Sequence, residues 1–266
     1  MDIDLVGVPQ TLMLPLYRRA QLTRAGNPIL TDRLAVELVS RVRYDFGAIE
    51  RSYRPVRDLA WVARPLQLDR LVQRFLHTHP RGTVVNLGAG LDTSFSRVDN
   101  GSLRWFDLDL PQVVEIRRAL IPETERSRCI ARSLFDPSWM GELGDTKDGV
   151  CVISAGVLFY FSPAELRRFF GDLHQRLSGA EVVFDAVTPF GLKYTNKMMD
   201  DASAGARLQW ALADPKELQR WGVGISRVER IALFHGIPRS GVPLKTRWFM
   251  FFTDTSKASS IIHCRV

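Results

Sequence analysis

The sequence predicts an α/β fold: a mostly parallel sheet with helices on both faces, preceded by a helical N-terminal segment. Three observations predict it. From residue 83 onward, short and almost continuously apolar β-like runs alternate with helical or loop segments, the pattern of a parallel sheet covered on both sides. The first of these runs ends in a glycine turn, as open α/β sheets do where they bind ligands. Before residue 83 the apolar residues recur at helix spacing instead. A chain of 266 residues can bury one sizeable core, so one unit with helical additions is expected. Residues 1–80 would form a helical extension or lid, and residues 81–266 the core.

Taken in order, Leu34, Leu38, Val39 and Val42 follow a possible Asp32 cap, and Leu68, Leu71, Val72, Phe75 and Leu76 mark a second helix. Pro65 lies between them, so a helix should start or kink there. The core strands read TVVNL (Thr83 to Leu87), LRWFD (Leu103 to Asp107), CIARSL (Cys129 to Leu134), VCVIS (Val150 to Ser154) and EVVFDAV (Glu181 to Val187). Between the last two, Ser162-Pro163-Ala164-Glu165 combines an N-cap serine, a first-turn proline and a capping-box glutamate. Leu166, Phe169, Phe170, Leu173 and Leu177 then form one apolar stripe, and Ser178-Gly179 ends it. In the C-terminal third, RVERIAL (Arg227 to Leu233), TRWFMFF (Thr246 to Phe252) and IIHCRV (Ile261 to Val266) read as strands.

Composition narrows the function classes. With 45% hydrophobic and 24% charged residues the chain reads as an ordinary globular protein. Its most apolar stretch, Val150 to Phe161, is well short of the roughly 20 residues that span a bilayer. The opening MDIDLVGVPQ has two acids and no basic segment ahead of an apolar block, so no secretory signal and a cytoplasmic location are expected. Cys129, Cys151 and Cys264 lie far apart, which suggests neither disulfides nor a zinc site. Of the net charge of +7, residues 1–81 supply a surplus of five, from 13 arginines against 8 acids. That segment is expected to face something anionic. Nucleic acid is not the expected partner, because the arginines are scattered at helical spacing instead of gathered in a run.

Chemistry concentrates at the strand ends. After TVVNL comes Gly88-Ala89-Gly90-Leu91-Asp92-Thr93, where glycine lets the backbone turn sharply and approach a ligand. About twenty residues on, the second strand ends in Asp107-Leu108-Asp109-Leu110, which supplies an acid for a ribose diol. A glycine loop followed by such an acid points to an adenosine or nicotinamide cofactor, although the third glycine of the dinucleotide fingerprint is missing.

The blocks VVNLGAGLDT, WFDLDLPQVVEIRRALIPE, SLFDPSWM, ISAGVLFYFSPAELRRFFGDL and VVFDAVTP, in this order over residues 83–190, resemble the leucine carboxyl methyltransferase and tetracenomycin-type polyketide O-methyltransferase family. Trp61-Val62-Ala63-Arg64 and the terminal IIHCRV extend the likeness. The resemblance implies a class I methyltransferase fold with S-adenosylmethionine lying across the strand ends. Gly88, Ala89 and Gly90 would pack against its methionine part, and Asp109, followed by Leu110, would take the ribose hydroxyls. Ser133 and Leu134 would border the adenine, Ser154 and Ala155 would complete the cofactor set, and Arg64 would pair with the methionine carboxylate. Asp107 rivals Asp109 for the ribose; the two are expected to point to opposite sides of the strand, so that only one reaches it. Two positions depart from the family pattern: Ala155 stands where an acid is usual, and Ser94 where arginine is common.

Methyl transfer from a sulfonium needs alignment and exclusion of water, with no metal. A carboxylic acid acceptor is already ionised at neutral pH, whereas a phenol is not and needs a base. None of the five histidines lies in a recognisable motif. The expected activity is therefore O-methylation of a small molecule at a carboxylate or phenol, in polyketide or other secondary metabolism. Tyr160 is the expected catalytic, substrate-side residue, with Tyr17, Arg18 and Arg19 of the lid beside an anionic acceptor. N- or C-methylation, a catalytically impaired cofactor-binding protein and a nicotinamide oxidoreductase remain as alternatives.

Overall fold

The computed structural model describes residues 3–4, 10–26, 29–51, 55–199, 207–239 and 242–266. Most of the N-terminal decapeptide, on which the reading of localisation rests, lies outside them. Ile3–Asp4 (β1) pairs in parallel with Val42–Arg43 (β2). The helices of the extension are α1 (Gln10–Arg24), α2 (Arg33–Arg41), α3 (Phe46–Arg51) and α4 (Pro55–Thr78). Asp32 caps α2 as expected, its carboxylate accepting from the Ala35 N–H at 2.9 Å.

No helix starts at Pro65: it lies inside α4, which runs 24 residues. An interior proline costs about 3 kcal/mol. Burial of Val62, Ala63, Leu68, Leu71, Val72 and Phe75 in one core cluster, against Val84 and Ile153 of the sheet, offsets that cost.

The sheet has seven strands, β3 (Thr83–Leu87), β4 (Arg104–Asp109), β5 (Ser127–Ala131), β6 (Val150–Ser154), β7 (Glu181–Val187), β8 (Ser226–Ala232) and β9 (Ser259–Arg265). Their spatial order is β5-β4-β3-β6-β7-β9-β8; β3 to β7 are parallel and β9 runs antiparallel to both neighbours. This mostly parallel sheet with helices on both faces is the class I methyltransferase fold. β3 and β6 are buried along their whole length, which explains why they read as continuous apolar runs instead of alternating ones. One face packs against α4; the other packs Val85, Val152 and Phe184 against Leu166, Phe169, Phe170 and Leu173 of α7 (Pro163–Arg176). The remaining helices are α5 (Ser94–Val98), α6 (Pro111–Leu120), α8 (Pro189–Met199), α9 (Glu217–Arg220) and α10 (Leu244–Ser256).

TRWFMFF, expected as a strand, lies within α10. Its seven residues are apolar or large at nearly every position, so periodicity does not discriminate there. The decisive spacing is three: Met250 and Thr253 are buried, while Trp248, Phe251 and Phe252 stay exposed. In the extension, Met13, Leu16, Ala20, Ala35 and Leu38 form a cluster that also takes in Leu91 and Leu120 of the core.

Candidate cofactor and acceptor site

Chain order reverses at β3: β4 and β5 lie on one side of it and β6 and β7 on the other. The loops after β3 and β6 therefore leave in opposite directions and open a crevice at their carboxyl ends. Here it is a cleft of about 640 Å³, roofed by Leu12, Pro15 and Leu16 of α1 and bounded by Arg64 and Pro65 of α4. Gly88 sits at φ +60°, and a Cβ there would lie 2.5 Å from a Val157 methyl, so glycine is what lets the two loops meet. The Gly88 and Ala89 N–H groups donate to the Leu108 carbonyl at 2.8 and 3.2 Å, fixing the turn to β4. Gly88, Ala89, Gly90, Asp109, Leu110, Ser133, Leu134, Ala155 and Tyr160 all line the cleft, and so does Arg64.

Ser154 does not line it. Ile153 and Ala155 face the cleft, so the residue between them points to the other side of the strand, where its hydroxyl is buried. The same periodicity corrects the expectation for the two acids. Asp107 and Asp109, two residues apart, lie on one side of β4, not on opposite sides. Depth separates them. Asp107 is 2% exposed and enclosed by donors, accepting from Asn86 at 3.0 Å, the Trp105 indole at 2.9 Å and Arg117 at 2.5 Å. Arg117 also donates to the Gly90 and Asp92 carbonyls at 2.9 and 2.7 Å, so Asp107 braces the glycine loop from below. Asp109 stands at the mouth, accepting from the Gly90 and Leu110 N–H groups, each at 2.7 Å. Each of its oxygens keeps a lone pair for a further donor. Burial raises its carboxyl above the ordinary value, against the effect of these two backbone donors.

At the β6 end, the Arg64 Nε lies 3.1 Å from the Oδ2 of Asp185 on β7, and the Oδ1 of Asp185 accepts from the Gly156 N–H at 2.7 Å. Tyr160 is half-buried on the 3-10 turn after β6, and burial pushes its hydroxyl above the ordinary phenol value. Among the described residues that line the cleft there is no histidine. Its acids are Asp109 and Asp92. Burial alone would raise Asp92, but Arg97, Arg19 and Arg117 outweigh that and hold it below the ordinary carboxylate value. No group of three His, Cys, Asp or Glu side chains among the described residues could hold a metal ion. No described helix is long and apolar enough to cross a membrane.

The three N-terminal residues expected beside the acceptor are arranged differently. Tyr17 does not line the cleft; its hydroxyl donates to Glu50 and its ring stacks on Phe46 at 4.5 Å. Nor does Arg18, whose guanidinium donates to Gln21 at 2.6 Å and to the Ile49 carbonyl at 3.0 Å. Arg19 does line the cleft, but its guanidinium is held by Asp32 at 2.9 Å and the Leu91 carbonyl at 2.8 Å. Asp32 in turn takes Arg97 at 2.8 Å, and Arg97 takes Asp69 at 2.6 Å and Ser94 at 2.7 Å. Arg19, Asp32 and Ser94 are each legible in the sequence, but the network that joins them, and Asp185, are not. Buried pairs between distant segments leave no periodic signal, and only the unusual density of arginine before residue 81 hinted at it.

The leucine carboxyl methyltransferase family model matches residues 12–174, from α1 into α7. The tetracenomycin polyketide synthesis O-methyltransferase TcmP of Streptomyces glaucescens is 32% identical over 218 residues, covering 82% of this chain and 80% of TcmP. The S-adenosyl-L-methionine-dependent methyltransferase dpfgK of Gibberella zeae is 28% identical over 261 residues, covering 90% of this chain and 87% of dpfgK. A crystal structure of a DUF574 family protein from Streptomyces avermitilis shares the fold at a TM-score of 0.62 and 13% identity, over 96% of this chain and 97% of that one. With glycine loop, strand-end acid and cleft in one continuous match, this chain belongs to the leucine carboxyl methyltransferase family and is a methyltransferase.

Proposed function

We propose that the protein moves a methyl group from its cofactor, S-adenosylmethionine, to a carboxylate oxygen of a small, largely apolar molecule, with the N-terminal helices as a lid. The cofactor supplies an electrophilic methyl on a sulfonium. The residues present suit it: an acid with spare lone pairs at the β4 tip, a glycine loop whose backbone is open to the cleft, and a guanidinium at the far end. Asp109 would accept from the ribose hydroxyls, Gly88 to Gly90 would flank the methionine part, and Leu110, Ser133 and Leu134 would border the adenine. Arg64 would pair with the methionine carboxylate through its planar fork of donors. Leu12, Pro15 and Leu16 would keep water out, which strengthens the remaining electrostatic contacts.

The observation that carries the choice of acceptor is that the described cleft residues include no histidine, and that Asp109, the lining carboxylate raised by burial, is committed to the ribose in this reading. Tyr160 stays protonated at neutral pH, since burial raises its hydroxyl, and so it can donate to an acceptor oxygen but not deprotonate one. Asp92 is too weakly basic for a phenol. A carboxylate needs no deprotonation, so orienting it suffices. The TcmP relative favours a polyketide-derived molecule as the carrier of that group. Labelled S-adenosylmethionine offered with aryl and alkyl acids and with phenols tests the reading. Base-labile methyl esters should form at a rate nearly flat from about pH 6 to 8, because the acid is ionised throughout. Methylation of phenols alone, rising about tenfold per pH unit with the phenolate fraction, would overturn it.

A further inference from the structure

The loop that closes the β6 side of the cleft, Ala155-Gly156-Val157, carries no charge of its own. Directly behind it, one strand over, stands Asp185, 1% exposed in the middle of β7. A buried carboxylate is costly unless it is paired, and this one has two partners at the cleft. Its Oδ1 accepts from the Gly156 N–H at 2.7 Å, and its Oδ2 lies 3.1 Å from Nε of Arg64, off the line of a hydrogen bond, so that contact is chiefly electrostatic. Gly156 leaves room for the arrangement: it sits at φ +75°, and a Cβ there would lie 3.2 Å from an Arg64 terminal nitrogen. On its other side the Arg64 guanidinium lies 5.9 Å from the Phe159 ring centroid. One carboxylate thus orients the backbone of the loop and the cation that lines the cleft.

We infer that Asp185 is a positioning residue for the amino-acid end of the cofactor: it aims Arg64 and supplies, through the Gly156 loop, a negative charge at an end of the cleft where none of the described lining residues carries one. The chemistry is a matter of signs. The amino-acid end carries a carboxylate and an ammonium, so a lone guanidinium satisfies one and repels the other. A guanidinium backed by a carboxylate complements both, and it holds its orientation before binding. The inference rests on the reading that Arg64 faces the cofactor carboxylate.

Two ligands separate the possibilities by calorimetry: S-adenosylhomocysteine, and 5′-methylthioadenosine, which has the nucleoside and sulfur but no amino-acid end. Asp185→Asn keeps the shape and an acceptor for Gly156 but removes the charge. It should weaken S-adenosylhomocysteine at least tenfold and leave 5′-methylthioadenosine within about twofold, with Asp185→Glu recovering part of the loss. Arg64→Ala should also erase the preference for S-adenosylhomocysteine, and adding Asp185→Asn to it should cost little more, because the two act as one unit. If Asp185→Asn does not fold, Asp185→Ser is read in the same way. Equal weakening of both ligands, weakening of neither, or full additivity with Arg64→Ala overturns the inference. If Arg64→Ala erases the preference while the Asp185 variants keep it, only the role of Asp185 falls. If Arg64→Ala keeps it, the reading of Arg64 falls, and the inference with it.

Discussion

Asp107 and Asp109 are the same side chain, two residues apart on one side of one strand, and their surroundings assign them different work. Asp107 is buried against Arg117 and braces the loop; Asp109 at the mouth keeps acceptor capacity. Replacing Asp109 with Ala should cost about 2 kcal/mol of S-adenosylhomocysteine affinity by calorimetry, since charged hydrogen bonds are worth about 1.5–3 kcal/mol. Asp107→Ala should act mainly on stability, lowering it by about 2–3 kcal/mol in denaturant melts, because it removes the carboxylate paired with the buried Arg117, which keeps only the Gly90 and Asp92 carbonyls as hydrogen-bond acceptors. The pH dependence follows from Asp109 as well. Its raised pKa means that, as pH falls, the carboxylate protonates above the ordinary value near 4, and the ionised form is the one that accepts from two hydroxyls. Affinity for 5′-methylthioadenosine should therefore begin to decline above pH 4 on acidification, and Asp109→Asn should flatten that profile. The sequence made the acid at the strand tip legible through its spacing from the glycine loop. Spacing alone does not rank the two acids; the family resemblance favours Asp109, and the physical reason lies in Asn86, Trp105 and Arg117, which only the fold brings together.

Among the elements, those whose ends carry local chemistry were the most legible. The α7 capping box forms with both reciprocal bonds, Glu165 N–H to the Ser162 hydroxyl and Ser162 N–H to the Glu165 carboxylate. Ser162→Ala should lower stability by about 1 kcal/mol without moving cofactor affinity, measurable as paired melts and titrations. α10 was opaque for the opposite reason, an apolar run with no alternation and no side-chain cap. α1 is the informative intermediate case. Its arginines were legible as an excess of charge, but charge counting cannot tell a cation that greets a ligand from one that staples helices. Arg19 is 3% exposed and ties α1 to Asp32 at the start of α2 and to the loop carbonyl of Leu91. Arg19→Ala should accordingly destabilise the protein by about 2–3 kcal/mol, short of the roughly 3–5 kcal/mol for a fully stranded charge because Arg97 stays on Asp32. A variant of unchanged stability and raised acceptor KM would return Arg19 to the acceptor side.

At the scale of the whole molecule, the extension and the sheet share one interior. The cluster built on Met13, Leu16 and Leu38 includes Leu91 of the glycine loop and Leu120 of α6, and α4 covers one face of the sheet. One unit is what the length of the chain predicts, but the residues that join its parts are not legible, since Leu91 and Leu120 belong to no apolar stripe that points towards α1. The shared interior has a dynamic consequence. Leu12, Pro15 and Leu16 of α1 and Arg64 of α4 line the same cleft as Gly88 and Asp109, so a ligand that fills it touches both parts. A ligand present at a hundred times its Kd stabilises the native state by about 2.7 kcal/mol, and any segment whose opening exposes the site must share that gain. Hydrogen exchange with saturating S-adenosylhomocysteine should therefore slow in α1 and in the first half of α4 as well as in the loops after β3 and β4. NAD should produce no comparable change, because the loop Gly88 to Asp92 lacks the third glycine of the dinucleotide fingerprint. Protection confined to the strand-end loops, with α1 exchanging as in the free protein, would mean that the N-terminal helices pack on the core without closing over the cofactor. The exclusion of water would then have to come from the acceptor itself.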